Sequence, residues 1–156
     1  MSFIDLDKSG RRPQGHRTYL GPSLGWIITD EPTYVEFVIG SSVDIAPGLK
    51  NYLLIPEWLI VKEWDVLSSA AGFITFDIWK VTLDQFLAGT VPGPTNSITG
   101  MDKPRLFNQF ANSSQALTGW NVLLQQNDVI AINVDTSTGI RRATLVLQCL
   151  RSLGQG

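Results

Sequence analysis

The chain has 156 residues, the size of one ordinary domain, with 44% hydrophobic and 17% charged residues and a net charge of -2. It can close a core, but it carries no global basic footprint for nucleic acid. Its single cysteine, Cys149, excludes an intramolecular disulfide, and no apolar run approaches the roughly 20 residues that span a bilayer.

The opening MSFIDLDKSGRRPQG lacks the apolar stretch of about 7–15 residues that marks a secretory signal, so folding in a cytoplasm is expected. From Lys8 to Gly21 the chain reads KSGRRPQGHRTYLG, in which Gly10, Pro13 and Gly15 break any period and few groups are apolar. Residues 1–21 are therefore expected to form an extended arm and residues 22–156 the folded domain. Between Met1 and Thr18, Lys8, Arg11, Arg12 and Arg17 stand against Asp5 and Asp7, giving +2 and leaving -4 for the remainder. Such an arm suits an acidic protein neighbour, with Arg11, Arg12 and Arg17 as charged contacts and Phe3, Ile4 and Leu6 for a distant groove or sheet edge. Four fixed cations without interleaved aromatics argue against nucleic acid as that partner.

After Pro22 the pattern changes to short segments rich in Val, Ile, Phe, Tyr and Trp, closed by Gly, Pro, Asn or Ser. Val35, Phe37 and Ile39 alternate with Tyr34, Glu36 and Val38, which predicts a strand whose first set faces the core. Leu49–Ile55 reads as a second strand. After Pro56, Trp58–Leu67 reads as a third, with Trp58, Ile60, Lys62, Trp64 and Val66 on one face and Leu59, Val61, Glu63, Asp65 and Leu67 on the other. Phe73–Val81, with Ile74, Phe76 and Ile78 on one side, is expected as its hairpin partner across Ser68–Gly72.

Leu83–Leu87 has helical spacing stopped by Gly89 and predicts one short helix. The Pro- and Gly-rich stretch from Gly89 to Ser114 predicts a long ordered loop, with a brief strand around Leu106. Leu117–Leu124, Val129–Val134 and Ile140–Leu150 complete a set of about eight strands, the last two expected as a hairpin. No αβ alternation and no fixed repeat occur. The expected fold is a single all-β sandwich or jelly roll, with Val35, Phe37, Ile60, Phe76, Ile78, Trp79, Trp120, Ile132, Leu145 and Leu147 buried.

The chemistry-bearing residues give little. The only histidine, His16, lies in the expected arm, where nothing positions it as a base, and one Cys with one His cannot build an ordinary zinc site. No GxxxxGK[ST] or GxGxxG is present. Glu57, Glu63, Asp65, Asp77 and Asp84 are spaced for solvent-facing strand positions and turns rather than as a glycosidase pair. Asp128 and Asp135 sit at strand or turn ends, where accepting local backbone N–H groups is the common role. Trp79 and Trp120 read as core or loop anchors whose indole N–H groups need loop partners. Asn96, Ser97 and Thr99 read as residues that hold the loop, and Gly119 as a bulge or a close backbone approach. The chain reads as a non-enzyme that requires no cofactor or metal.

The stretch from Phe76 to Leu147 holds FDIWK, then PTNSITGMDKPRL, then LTGWNVLLQQNDVIAINVDTSTGIRRATLVL. In this order the elements resemble a domain that recurs in virion proteins of tailed bacteriophages. The resemblance implies a sandwich domain of the kind used on tail fibres, baseplates and capsid surfaces, commonly in trimers. It implies a location on the outer surface of the particle, after synthesis in the bacterial cytoplasm. The expected function is that of a homotrimeric capsid decoration, or cement, protein that binds itself and the major capsid protein or another virion protein. The alternative is a tail-fibre or baseplate head domain that binds a host receptor.

Overall fold

A computed structural model describes the backbone of residues 18–20 and 26–155, and side chains from residue 32 to residue 152. The arm residues Phe3, Ile4, Leu6, Arg11, Arg12, His16 and Arg17 lie outside the described residues. Strand accounts for 62% and helix for 7% of the residues described with side chains, so the all-β class holds. The strands are β1 (Thr18–Leu20), β2 (Trp26–Gly40), β3 (Gly48–Leu54), β4 (Leu59–Thr82), β5 (Arg105–Ser114), β6 (Leu123–Leu124), β7 (Asp128–Thr138) and β8 (Arg142–Gln155). Among the described residues the one α-helix, α1, covers Leu83–Leu87, where the sequence placed it. Thr82 and Gln85 exchange a reciprocal capping pair at its start, which satisfies two of the backbone N–H groups left free there.

All the strands belong to one antiparallel sheet that curls into a half-barrel. Its frame is β4, a single strand of 24 residues. Along one edge of β4 lie β8, where Ser68 faces Ala143, and β7, where Phe73 faces Thr138. Along its other edge lie β6, at Leu59 and Ile60, and β5, whose Ala111 faces Leu67 and whose Phe107 faces Phe73. The outer flank is laid out in the same way, with β2 beside β8 and β3 beside β7.

Two expected hairpins are thereby replaced. Phe73–Val81 does not fold back on the strand before it but continues it through Ser68–Gly72. β7 and β8 do not pair with each other but follow one another along β4. A Ser- and Ala-rich run ending in Gly has the composition of a turn, yet here it forms a corner at which the strand bends and the sheet turns over its own core. Gly72 is required there: a Cβ on it would lie 2.7 Å from both Ile140 Cγ1 and the Thr138 carbonyl oxygen.

The bend lets both halves of β4 contribute to one core. Leu59, Val61, Trp64 and Val66 from the first half meet Ile74, Phe76 and Ile78 from the second, closed by Ile130, Ile132 and Val134 of β7 and Leu145, Leu147 and Cys149 of β8. Strict alternation had placed Leu59 and Val61 opposite Trp64 and Val66. The register shift between Val61 and Glu63 inserts Lys62 as an extra residue and brings both pairs to the same side, leaving Ile60 on the outer face. Of the ten residues expected inside, eight are buried, while Val35 and Trp120 pack half-buried against the core.

Candidate functional site

The segment that follows α1 is ordered by side chains rather than by a ladder. Expected as a loop from Gly89 to Ser114, it becomes β5 from Arg105 onward, and only its first part, with one 3-10 turn at Pro94–Asn96, stays irregular. It runs along the edge of β4 beyond the point where β5 stops. Phe76 N–H donates to the Pro104 carbonyl at 2.8 Å, Ile98 N–H to that of Ile78 at 2.9 Å, and Ser97 bridges Trp79.

Asp77 is the post to which this segment is tied. It is 4% exposed, contrary to its expected solvent-facing position. Its Oδ1 accepts from Ser97 Oγ at 2.6 Å, Thr99 Oγ1 at 2.8 Å and Ile78 N–H at 2.9 Å, and its Oδ2 accepts from Trp79 Nε1 at 3.0 Å. Lys103 Nζ lies 3.3 Å from Asp77 Oδ2 and 2.7 Å from Asp135 Oδ2, and Asn133 Nδ2 donates to Asp135 Oδ1 at 2.7 Å. Burial raises the Asp77 pKa, but the donors Ser97, Thr99 and Trp79 with the Lys103 charge outweigh it and hold the carboxyl below its ordinary range. The hydrogen bond to Asp135, partly opposed by burial, raises the Lys103 ammonium above its own. Both groups are thus held ionised at neutral pH, which suits a fastener and not a proton carrier.

Asp102 does the same for the next stretch. Its Oδ2 accepts from Trp64 Nε1 at 3.2 Å, Ser114 Oγ at 2.6 Å and Leu117 N–H at 3.0 Å, and its carbonyl takes the Trp120 indole N–H at 2.8 Å. Trp79 and Trp120 therefore play the anchoring part expected of them. Asn96 bonds locally, to Gly93 N–H at 3.0 Å, whereas Ser97 and Thr99 reach across to β4. Gly119 marks a close backbone approach: a Cβ on the facing Gly100 would stand 2.4 Å from its carbonyl carbon. Asp128 accepts from Gln125 N–H at 2.8 Å, as its turn position suggested.

The other half of the sheet presents an open outer face in cross-strand rows. Tyr34, Gln148 and Glu63 form one row, Glu36, Val146 and Asp65 the next, and Val38, Thr144 and Leu67 a third. Tyr34, Val38 and Leu67 are 54%, 65% and 51% exposed. Gln148 Nε2 donates to Asp65 Oδ2 at 2.6 Å and also to Glu63, and Gln115 Nε2 donates to Glu63 Oε1 at 2.8 Å. Asp65 is raised above the ordinary carboxylate range by burial and by the neighbouring Glu63, against the lowering effect of Gln148. Beside this row lies a cleft of about 560 Å³ with Ile60, Leu117 and Val122 among its apolar walls and Glu63, Gln148 and Lys62 among its polar ones. A separate aromatic cluster marks β5, where Phe107 packs edge-on against Phe73 at 5.0 Å and Phe110 is 60% exposed.

Sequence reasoning missed the Asp77 and Asp102 fasteners because their partners lie far along the chain. It missed the Glu63–Gln148–Tyr34 row because alternation assigns faces but not neighbours. Cys149 is buried, and its thiol is pushed up to about 12 by burial. Among the described residues no group of His, Cys, Asp and Glu is placed to hold a metal, and no helix is long and apolar enough to cross a membrane. No protein-family model, curated protein or solved structure matches this chain.

Proposed function

We propose that this chain is a structural protein of a tailed-phage particle, a homotrimeric decoration protein that stabilises the major capsid shell by contact alone. The observation that carries this reading is how the side chains are employed. Asp77, Lys103, Asp135 and Asp102, the groups best able to do chemistry, are taken up in fastening the segment that follows α1. What faces outward instead is a broad strand-built surface with Tyr34, Val38 and Leu67 exposed, the composition of a contact face rather than of a reaction centre.

The resemblance of Phe76–Leu147 to virion domains supports the phage origin, and the curled sheet closed over one core is compatible with the sandwich that the resemblance implies. The function requires no catalysis and no cofactor. A second reading, a tail-fibre or baseplate head that binds a host receptor, is favoured by Phe107 and Phe110 on β5, 75% and 60% exposed. Mass spectrometry and cryo-EM of purified particles separate the two. Density over the capsid lattice at three-fold positions is the expected result, density at the tail tip supports the second reading, and absence from the particle refutes both.

A further inference from the structure

We propose that the outer face of β2, β8 and the first half of β4, with the cleft beside Glu63, receives residues 1–17 of a second copy of this chain. The inference rests on the assembly reading above and names one of its contacts.

The first support is the charge of the face. Glu63 and Asp65 on β4 and Glu36 on β2 occupy outward positions on either side of β8, where Val146 lies between Glu36 and Asp65. Among the described residues, none of the three has a lysine or arginine nitrogen within 4.0 Å; Lys80, Lys103, Arg141 and Arg151 pair instead with Asp128, with Asp77 and Asp135, with Asp44 and with Glu57. Glu63 and Asp65 share only the Gln148 amide. Carboxylates placed side by side without a cation repel, and the Asp65 pKa, raised chiefly by burial, is raised further by Glu63.

The second support is the composition of the incoming segment. It carries Lys8, Arg11, Arg12 and Arg17 against Asp5 and Asp7, and its start holds Phe3, Ile4 and Leu6. The receiving surface has the matching pair of features, a row of carboxylates and, beside it, a cleft walled by Ile60, Leu117 and Val122. Lys62, which also lines the cleft, restricts the arginines to the carboxylate side.

The third support is reach. β1 pairs Thr18 with Thr29 and Leu20 with Ile27 at the edge of the sheet, which fixes the point to which residue 17 is joined. Extended, they span at most roughly 56–61 Å at ~3.3–3.6 Å per residue. A domain of this length has a radius of gyration near ~15 Å, so the segment can pass its own body and reach the next copy. Bodies of like charge, -4 each, repel one another, and a +2 segment offset from the body supplies the attraction between copies.

The test uses the full chain. Gln14→Cys in one preparation and Gln115→Cys in another place single thiols in the segment and at the cleft without altering the charges of either. The native Cys149 is buried and does not compete. Mild oxidation of the mixture is expected to give a Gln14→Cys to Gln115→Cys disulfide-linked dimer. A double variant that closes the disulfide within one chain, leaving no linked dimer in the mixture, overturns the proposal, as does the absence of any link.

Reversing Arg11, Arg12 and Arg17 to Glu should weaken self-association by about tenfold or more at low salt. Adding Glu63→Arg and Asp65→Arg to that chain should restore it, with circular dichroism as the check on folding. Unchanged association after the arm reversal also overturns the proposal. These measurements need only the isolated chain, so a protein absent from phage particles that still cross-links in this way would sink the virion reading and leave the present one standing.

Discussion

Asp65 and Asp77 stand on the same strand, and both point away from the core, yet they meet opposite surroundings. Asp77 lies under the segment that follows α1 and receives hydroxyl, indole, backbone and ammonium donors. Asp65 lies on an open face with one amide donor and a carboxylate neighbour. The halves of β4 on either side of the Ser68–Gly72 corner therefore differ in what covers them. In the second half the chain supplies its own cover and satisfies every strong acceptor on Asp77. In the first half it leaves a face whose charges are unmatched and whose large apolar groups are exposed, as is typical of a surface completed by another chain.

The largest effect is expected at Asp77. Replacing it with Ala removes the acceptor for Ser97, Thr99 and the Trp79 indole and strips Lys103 of one carboxylate. A loss of about 3–5 kcal/mol in urea unfolding is expected, since a buried ionic network is costly once one partner is gone. Because the Asp77 pKa is lowered on folding, its contribution is full above the ordinary Asp value of about 3.9 and is lost as pH falls through the lower folded value. The wild-type chain should lose stability on acidification through that window, and Asp77→Asn should flatten the loss. An Asp77→Ala chain with an unchanged urea midpoint would show that the segment is held by other contacts.

A smaller effect tests how closely the covering segment is packed. Gly100 has φ +55°, and a Cβ on it would press against the backbone of Gly119 and Thr118 at 2.4–2.7 Å. Gly100→Ala should cost about 2–4 kcal/mol, the left-handed penalty plus overpacking. Gly139, at φ +76°, has open space around its missing Cβ, so Gly139→Ala should cost only about 1–2 kcal/mol. Equal losses at the two sites would mean that strain rather than contact decides both.

What could be read from residues alone follows the same division. The alternation of Val35, Phe37 and Ile39 with Tyr34, Glu36 and Val38 gave the buried side of β2, because a period of two is a local property. The short helix at Leu83–Leu87 was legible for the same reason. The partners of β7 and β8 were not: Thr136–Gly139 has the residues of a hairpin turn, but whether a chain reverses or bends there depends on β4 being long enough to pair with both. The extra residue at Lys62 was equally hidden, since a bulge changes the phase of a strand without changing its composition. Asp77 was assigned to its side of the strand correctly and its burial missed, because the cover arrives from Ser97 and Thr99. The contacts expected of Phe3, Ile4, Leu6, Arg11, Arg12 and Arg17 fall outside the described residues.

On the open side, the smallest effect is expected at Asp65. Folding raises the Asp65 pKa, so its ionised form is a cost to the folded state, full above the raised value and removed as pH falls through it toward the unfolded value of about 3.9. This sign is opposite to that of Asp77. Asp65→Asn keeps the shape and an acceptor for Gln148 while removing the repulsion from Glu63. At dilutions where the chain is monomeric it should unfold at slightly higher urea at pH 7, a gain below about 1 kcal/mol because the pair is partly solvated. The gain should shrink as pH falls through the raised value, where the wild-type carboxyl takes up its proton. A loss of stability in Asp65→Asn at pH 7 would mean that the Gln148 hydrogen bond outweighs the repulsion, and that this face holds its two carboxylates without needing a cation from elsewhere.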